Sequence, residues 1–523
     1  MRWWWLVLGL TSMRLSNAEA SVPDARDPDH VAKFALIVGK NEPEETGQAT
    51  LRYADDDAIS MHRLLQEAGI KSVLLVSPDQ DTARLHDIHG TKTPTLGAVL
   101  RAFAGITSEI NAARKRGQRT EFFFFYSGHG DVSEGEGFVV LDNSRLTRTD
   151  LLEKIVARSP AHANHVIIDA CKSYFMVFNK GPGGERRPFD RAFGGAASGK
   201  NLDRTGFVLS ASSDEDSHEW ERYQAGIFSY EVRSALRGGA DANRDGRITY
   251  GELGAFVTTA NKGIVNPKFR PNFLVTPPGR EPGNLSNSLL FWEERHGSLM
   301  VDVDAAVHFY VETSTGIRIV DVHPTRAQKL TLHLPEVRPL FIRWANDKAE
   351  GVLDTGKTVR LSSVSFQPTA VARKGALNIA FESLFSTPFG AVDVNAYEAE
   401  ETGLYAREQA KRRDAQRRLN LLRYTLFGTA TGALVVGGTM SLLAMKARHD
   451  AEAGAQQEVP SMNETIDKYN TAAIVFYSVA AAAGISWLTV KLWSIRKTKR
   501  TLAVYPIVVP SGCILGLGGK FGR

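Results

Sequence analysis

Phe122-Phe123-Phe124-Phe125-Tyr126-Ser127-Gly128-His129-Gly130 and His165-Val166-Ile167-Ile168-Asp169-Ala170-Cys171 are the two stretches that decide the fold. Each is a short apolar run that stops at one reactive side chain, with glycine or polar residues beside it. Runs of this length, bounded by turn residues, read as fully buried parallel strands. In an open α/β sheet, ligands and chemistry sit at the carboxyl ends of such strands. A His at one end and a Cys at a neighbouring end are the minimum set for a cysteine nucleophile with an acid–base partner. The chain has two cysteines, Cys171 and Cys513, too few for a disulfide framework. Cys171 must stay reduced to act.

Working outward, residues 31–285 alternate apolar strand-like runs with helical patterns, which predicts an α/β domain with a mostly parallel sheet flanked by helices. Phe34 to Gly39, Val73 to Val76 and Gly206 to Ser210 read as further strands. Asp57 to Ala68, Leu96 to Ala113 and Phe228 to Leu236 read as helices. Over residues 297–382 the pattern changes to short strands separated by turns, a small antiparallel β-domain suited to interaction or spacing. A chain of 523 residues is long enough for several such units. Its formal charge of +5 is small for that length and does not read as nucleic-acid binding.

The two ends of the chain point to a membrane. Residues 1–20 read as a secretory signal, with Arg2 as the charged start, an apolar stretch from Trp3 to Leu10, and Ala18-Glu19-Ala20 as a small-x-small cleavage site. Residues 398–423 form a basic juxtamembrane helix carrying Lys411, Arg412, Arg413, Arg417, Arg418 and Arg423. Segments 424–445 and 471–490 are then free of charge, and each can cross a hydrocarbon core of about 30 Å. Gly428 and Gly432 make a small-xxx-small step that allows close helix packing. Residues 491–523 form a C-terminal tail whose start is again basic. Counting basic residues puts both flanks of this pair in the cytoplasm. A cleaved signal instead places the α/β domain outside, on the periplasmic side. The signal decides for export, with the cytoplasmic placement as the alternative.

Tyr126-Ser127-Gly128-His129-Gly130 with Asp169-Ala170-Cys171 resembles the dyad of the caspase-like cysteine peptidases, the caspase, metacaspase and paracaspase group. Phe34-Ala35-Leu36-Ile37-Val38-Gly39 resembles that family's first strand, and Leu51-Arg52-Tyr53-Ala54-Asp55-Asp56-Asp57-Ala58 its first-helix motif. Gly226-Ile227-Phe228-Ser229 is similar to the opening of its late helix. The layout, with a β-domain and C-terminal spans, resembles exported, membrane-anchored bacterial members. The resemblance implies an endopeptidase acting on polypeptides, with no cofactor required for the chemistry. His129 would take the proton of the Cys171 thiol, whose ordinary pKa is about 8.5, and return it to the leaving amine. The N–H groups of Gly130 and Cys171 would hold the oxyanion.

In metacaspase-like members, residues matching Asp57, Ser127 and Asp169 line an acidic pocket, which implies cleavage after Arg or Lys. Asp57 has a competing role as a helix-start carboxylate near the dipole. Ala54 stands where many metacaspases carry a cysteine. The segment Lys172 to Arg204, rich in Gly and Arg, corresponds to the family's loop after the nucleophile, and self-cleavage is expected near Arg186 or Arg187. The alternative reading is an inactive caspase-like scaffold whose β-domain recruits protein partners at the membrane.

Asp241-Ala242-Asn243-Arg244-Asp245-Gly246-Arg247-Ile248-Thr249-Tyr250-Gly251-Glu252 matches a twelve-residue calcium loop. Asp241, Asn243 and Asp245 would supply oxygens, Gly246 the turn, Arg247 its carbonyl, Thr249 position nine, and Glu252 the closing carboxylate. The bland alternative is a surface turn. His62, His86, His89, His162 and His165 show no metal-ligand spacing, and no Gly-rich phosphate loop is present.

Overall fold

The computed structural model describes residues 31–44, 49–88, 90–177, 201–210, 219–266, 270–279, 282–292, 297–302, 307–326, 329–345, 348–354, 356–369, 381–453, 459–496, 502–509 and 512–519. The signal segment 1–20, His89, and the expected cleavage points Arg186 and Arg187 lie outside the described residues. In chain order the first elements are β1 (Val31–Lys40), α1 (Ala54–Glu67), β2 (Lys71–Val76), α2 (Gln80–His86), α3 (Leu96–Lys115), β3 (Arg119–Gly128), β4 (Gly130–Ser133), β5 (Glu136–Leu141) and β6 (Ser144–Thr147). There follow β7 (Ala163–Asp169), β8 (Thr205–Ser210), β9 (Glu219–Trp220), β10 (Ala225–Gly226), α4 (Ile227–Ser234), β11 (Arg247–Thr249), α5 (Tyr250–Ala260), β12 (Phe273–Thr276) and β13 (Ser288–Phe291).

The central sheet has the order β12-β8-β7-β3-β1-β2, parallel except for the antiparallel edge strand β12. The apolar runs are continuous because both faces of the sheet are covered. Phe122, Phe124, Tyr126, Val166 and Ile168 enter one core with α3 residues Val99, Phe103 and Ile106. The alternate residues Phe123, Phe125 and Ile167 enter the other, with Met61 and Leu64 of α1. β3 and β7, whose ends lead to His129 and Cys171, are therefore central in the sheet.

α1 begins at Ala54, three residues before the sequence expectation, so that Asp55, Asp56 and Asp57 all fall in its first turn and all are buried. Asn41 Oδ1 accepts from the first-turn N–H of Asp55 (3.1 Å), and a distant anion sits just ahead of the helix. The Glu219 carboxylate accepts from the backbone N–H of Arg52 (2.9 Å) and Tyr53 (2.9 Å), placing an anion at the positive end of the helix. Asp55 accepts from Asn41 Nδ2 (2.7 Å) and Asp79 N (3.0 Å). Burial, with the charge of Asp56, pushes its carboxyl up to about 7. A carboxyl raised on folding contributes stability below its unfolded pKa and loses it as pH rises through the folded value. The melting temperature is therefore expected to fall from pH 5 to pH 8, and Asp55→Asn to flatten that slope; an unchanged slope in the variant would show that Asp55 is not its source.

The later strands are β14 (Ser298–Val301), β15 (Phe309–Thr313), β16 (Arg318–Val322), β17 (Leu330–His333), β18 (Leu340–Trp344), β19 (Ala349–Leu353), β20 (Thr358–Arg360) and β21 (Gln367–Pro368). They form two sheets, β17-β14-β20 and β16-β15-β18-β19-β21. The pairing is antiparallel except for β20, which runs parallel to β14. This β-region does not stand apart: Leu299, Phe309, Val311 and Val320 belong to the same hydrophobic cluster as Met61, Trp220 and Phe256. Polar links reinforce the join, with Trp292 Nε1 on Leu236 O (2.6 Å), Arg237 on His333 O (2.9 Å) and Asp321 N on Ser234 Oγ (3.1 Å).

Next come α6 (Ala391–Ala453) and α7 (Val459–Arg496), then a hairpin of β22 (Leu502–Val509) and β23 (Gly512–Gly519). The basic stretch and the first apolar segment are one continuous helix, because no Pro interrupts 391–453. Both helices contain a segment long and apolar enough to cross a membrane, and both leave large apolar side chains such as Phe427, Leu442, Ile474 and Ile485 exposed. Phe427 meets Trp487 at 5.9 Å between ring centroids, and Ser441 Oγ lies 3.1 Å from Tyr477 Oη, so the two helices pack together.

Candidate active site

The parallel register of β3 and β7 pairs Ser127 with Asp169. His129 and Cys171 each lie two residues beyond that pair, so the two reactive groups leave neighbouring strands at the same level. Gly130 documents how close they come: a Cβ there would stand 2.5 Å from the Cys171 carbonyl oxygen and 3.1 Å from Ala170 Cβ. Glycine alone tolerates that approach. His129 is buried, and Cys171 is half-buried and in no disulfide.

Backbone contacts set the orientation of the His129–Gly130 peptide. The His129 carbonyl accepts from the Tyr126 hydroxyl (2.9 Å) and from Val140 N (2.9 Å). In a trans peptide the N–H points opposite to the C=O. The Gly130 N–H is thereby turned away from Tyr126 and Val140. Tyr126 Oη also lies 2.7 Å from the Val140 carbonyl oxygen, and burial drives its phenol above the ordinary range, so it remains a neutral donor. Past the thiol, Lys172 takes a left-handed φ of 55°, which turns the chain sharply. Its Nζ bonds Asp131 Oδ1 at 2.6 Å, tying the segment after Cys171 to the segment after Gly130.

Gly128 stands between the strand and His129 at φ 152°, and a Cβ there would lie 2.7 Å from the Lys40 carbonyl oxygen and collide with the Tyr126 hydroxyl. Gly128→Ala is expected to cost about 2 kcal/mol of stability. Equilibrium urea unfolding checks this, and an unchanged midpoint would contradict it.

Asp57, Ser127 and Asp169, expected to share a pocket, are all buried, Ser127 and Asp169 near the strand ends that lead to His129 and Cys171. Gly226 marks where the two acids converge: its Cβ position lies 2.9 Å from Asp57 Oδ2 and 3.1 Å from Asp169 Oδ2. The late helix α4 holds both. Ser229 gives Asp169 Oδ2 its backbone N–H (3.0 Å) and its hydroxyl (2.6 Å). Arg233, one turn on, places Nη1 2.6 Å from Asp57 Oδ1, and Gly226 N donates to Asp57 Oδ2 (2.9 Å). Burial pushes both carboxyls up; at Asp57 the Arg233 charge opposes this while the Asp169 charge adds to it. Asp57 is thus both a first-turn helix carboxylate and a neighbour of Asp169. Sequence reasoning missed Arg233 and Glu219.

The loop 241–252 follows a helix, contains β11 and runs into the first turn of α5. Asp241 Oδ1 and Asn243 Oδ1 both accept from Asp245 N (3.2 and 3.0 Å), Asp241 Oδ2 from Gly246 N (3.1 Å), and Asp245 Oδ1 from Arg247 N (2.8 Å). Gly246 supplies the turn with φ 74°. Glu252 spans the loop, Oε1 accepting from Ala242 N (3.1 Å) and Oε2 from Thr249 N (3.0 Å), and it forms a capping box with Thr249. Burial raises Asp241 and lifts Glu252 to about 7. Among the described residues, no three His, Cys, Asp or Glu side chains are grouped closely enough to hold a metal ion. β11 pairs with β13, so the strand inside this loop is occupied by the protein's own chain.

A parallel sheet with a His and a Cys at adjacent central strand ends defines a caspase-like α/β fold. Residues 32–268 match the family model of the caspase domain, so this segment is a caspase-like domain. No curated protein matches the chain.

Proposed function

We propose that this chain is a membrane-anchored cysteine endopeptidase in which Cys171 is the nucleophile and His129 the acid–base partner. The observation that carries the reading is the contact of Gly130 with the Cys171 backbone at the ends of paired central strands. His129 takes the thiol proton as Cys171 Sγ bonds to the scissile carbonyl carbon. The carbonyl becomes an oxyanion facing the Gly130 and Cys171 N–H groups. The C–N bond then breaks, with His129 returning the proton to the leaving amine. Water, deprotonated by His129, attacks the thioester and releases the acid and the thiol.

The acid pair beside the dyad, with Ser127, favours a basic residue before the cleaved bond, which makes polypeptides with Arg or Lys the substrates. The two apolar helices support a membrane tether, and the terminal sequence supports export of the peptidase part, cytoplasmic placement being the alternative. The loop 241–252 is a proposed calcium site held by Asp241, Asn243, Asp245, Arg247, Thr249 and Glu252. Calorimetric titration with CaCl2 is expected to show one binding event in the wild type and none in Glu252→Gln; equal traces would overturn it.

Self-processing near Arg186 or Arg187 is likewise proposed. Intact mass of the purified wild type is expected to show fragments absent from Cys171→Ala, and identical masses would remove the proposal. The function itself is tested by incubation with a fluorogenic peptide amide bearing Arg at the cleavage position. Hydrolysis by the wild type that disappears in both Cys171→Ala and His129→Ala is expected, and hydrolysis surviving in either variant would refute the dyad.

A further inference from the structure

We infer that Arg233 is a specificity-determining residue, a resident cation that occupies Asp57 and leaves Asp169 as the carboxylate that meets a basic substrate side chain. This rests on the peptidase reading above and names how its pocket is charged. Arg233 Nη1 lies 2.6 Å from Asp57 Oδ1, and both side chains are almost completely buried. The other Asp57 oxygen accepts the Gly226 N–H at 2.9 Å. Both oxygens of Asp57 are therefore engaged by the protein itself. A substrate guanidinium would have to displace a buried, geometrically constrained Arg to reach Asp57, and that exchange costs one ion pair to make another.

Asp169 is held differently. Its contacts come from the hydroxyl and backbone N–H of Ser229 and the side chain of Ser210, all neutral donors, and the Arg233 charge acts on it without the direct pairing that Asp57 has. With Arg233 present, the group of Asp57, Asp169 and Arg233 carries one net negative charge when both acids are ionised. That is enough to prefer a cation over a neutral isostere, and the preference is expected to reside in the balance of the three groups rather than in Asp57 alone.

The test is a double-mutant cycle read by binding, so that it does not depend on turnover. In the full-length Cys171→Ala chain in detergent micelles, calorimetry compares tripeptide amides ending in Arg and in citrulline, its neutral isostere. Asp57→Asn strands the Arg233 charge beside Asp169 and is expected to cut the Arg-over-citrulline preference at least tenfold. Adding Arg233→Met removes that charge, and Asp57→Asn/Arg233→Met is expected to recover the preference to within threefold of the parent. If Asp57 itself bound the substrate, the double variant would stay as low as Asp57→Asn, which overturns the inference. An absence of Arg preference in the parent chain also overturns it. Should Asp57→Asn alone fail to fold, the double variant, in which no buried cation is stranded, decides against the parent. Failure of the peptidase reading would show separately, as Cys171-independent hydrolysis.

Discussion

Cys171→Ala is expected to lower kcat/KM on an Arg-containing peptide by roughly 10⁴-fold or more while leaving the fold unchanged. The size of the effect follows from the geometry. Cys171 is half-buried at the end of β7, and its replacement creates neither an overpacked core nor an orphaned charge. On the proposed reading, what disappears is the sulfur that forms the acyl intermediate, while the proposed oxyanion donors and pocket residues stay in place. Stopped assays on protein matched for melting temperature check this. A residual rate within tenfold of the wild type would mean that the bond is broken elsewhere.

The second large effect is expected at Gly130. Gly130→Ala puts a methyl group 2.5 Å from the Cys171 carbonyl oxygen, a distance at which backbone must move. The neighbouring peptide is held from the other side by Tyr126 and Val140, so the displacement falls on the segment around Cys171. Misplacing one oxyanion donor costs about 3 kcal/mol of transition-state stabilisation, or roughly 10²-fold in kcat. KM is expected to change little, because the donor acts on the transition state. A rise in KM with kcat unchanged would assign Gly130 to substrate binding instead.

How much of this was legible in the sequence varies with the reach of each interaction. The strands bearing His129 and Cys171 were readable because a strand buried on both faces must be apolar throughout, and the run must stop where the chain leaves the sheet. The parallel register that sets Ser127 against Asp169 followed from the same runs only in outline. By contrast, α1 starts three residues early, with the Glu219 carboxylate on the N–H groups of Arg52 and Tyr53 just ahead of it, and no local signal predicts an anion from so distant a residue. Arg233 was hidden for the same reason: its partner Asp57 is remote in sequence and meets it only once α4 packs beside α1. The β-region was readable as short strands, but its fusion with the core of the α/β part depends on burial that alternation alone does not reveal. The apolar helices were legible by length, whereas the continuity of the basic stretch with the first of them needed the structure.

The most direct test of the central claim is covalent labelling of the intact, detergent-solubilised chain with an Arg-directed acyloxymethyl ketone, followed by peptide mapping. The account predicts one labelled residue, Cys171, with labelling lost in His129→Ala. Labelling that persists in a folded His129→Ala variant, or no labelling of a folded wild type, would contradict the dyad and favour a caspase-like scaffold without activity.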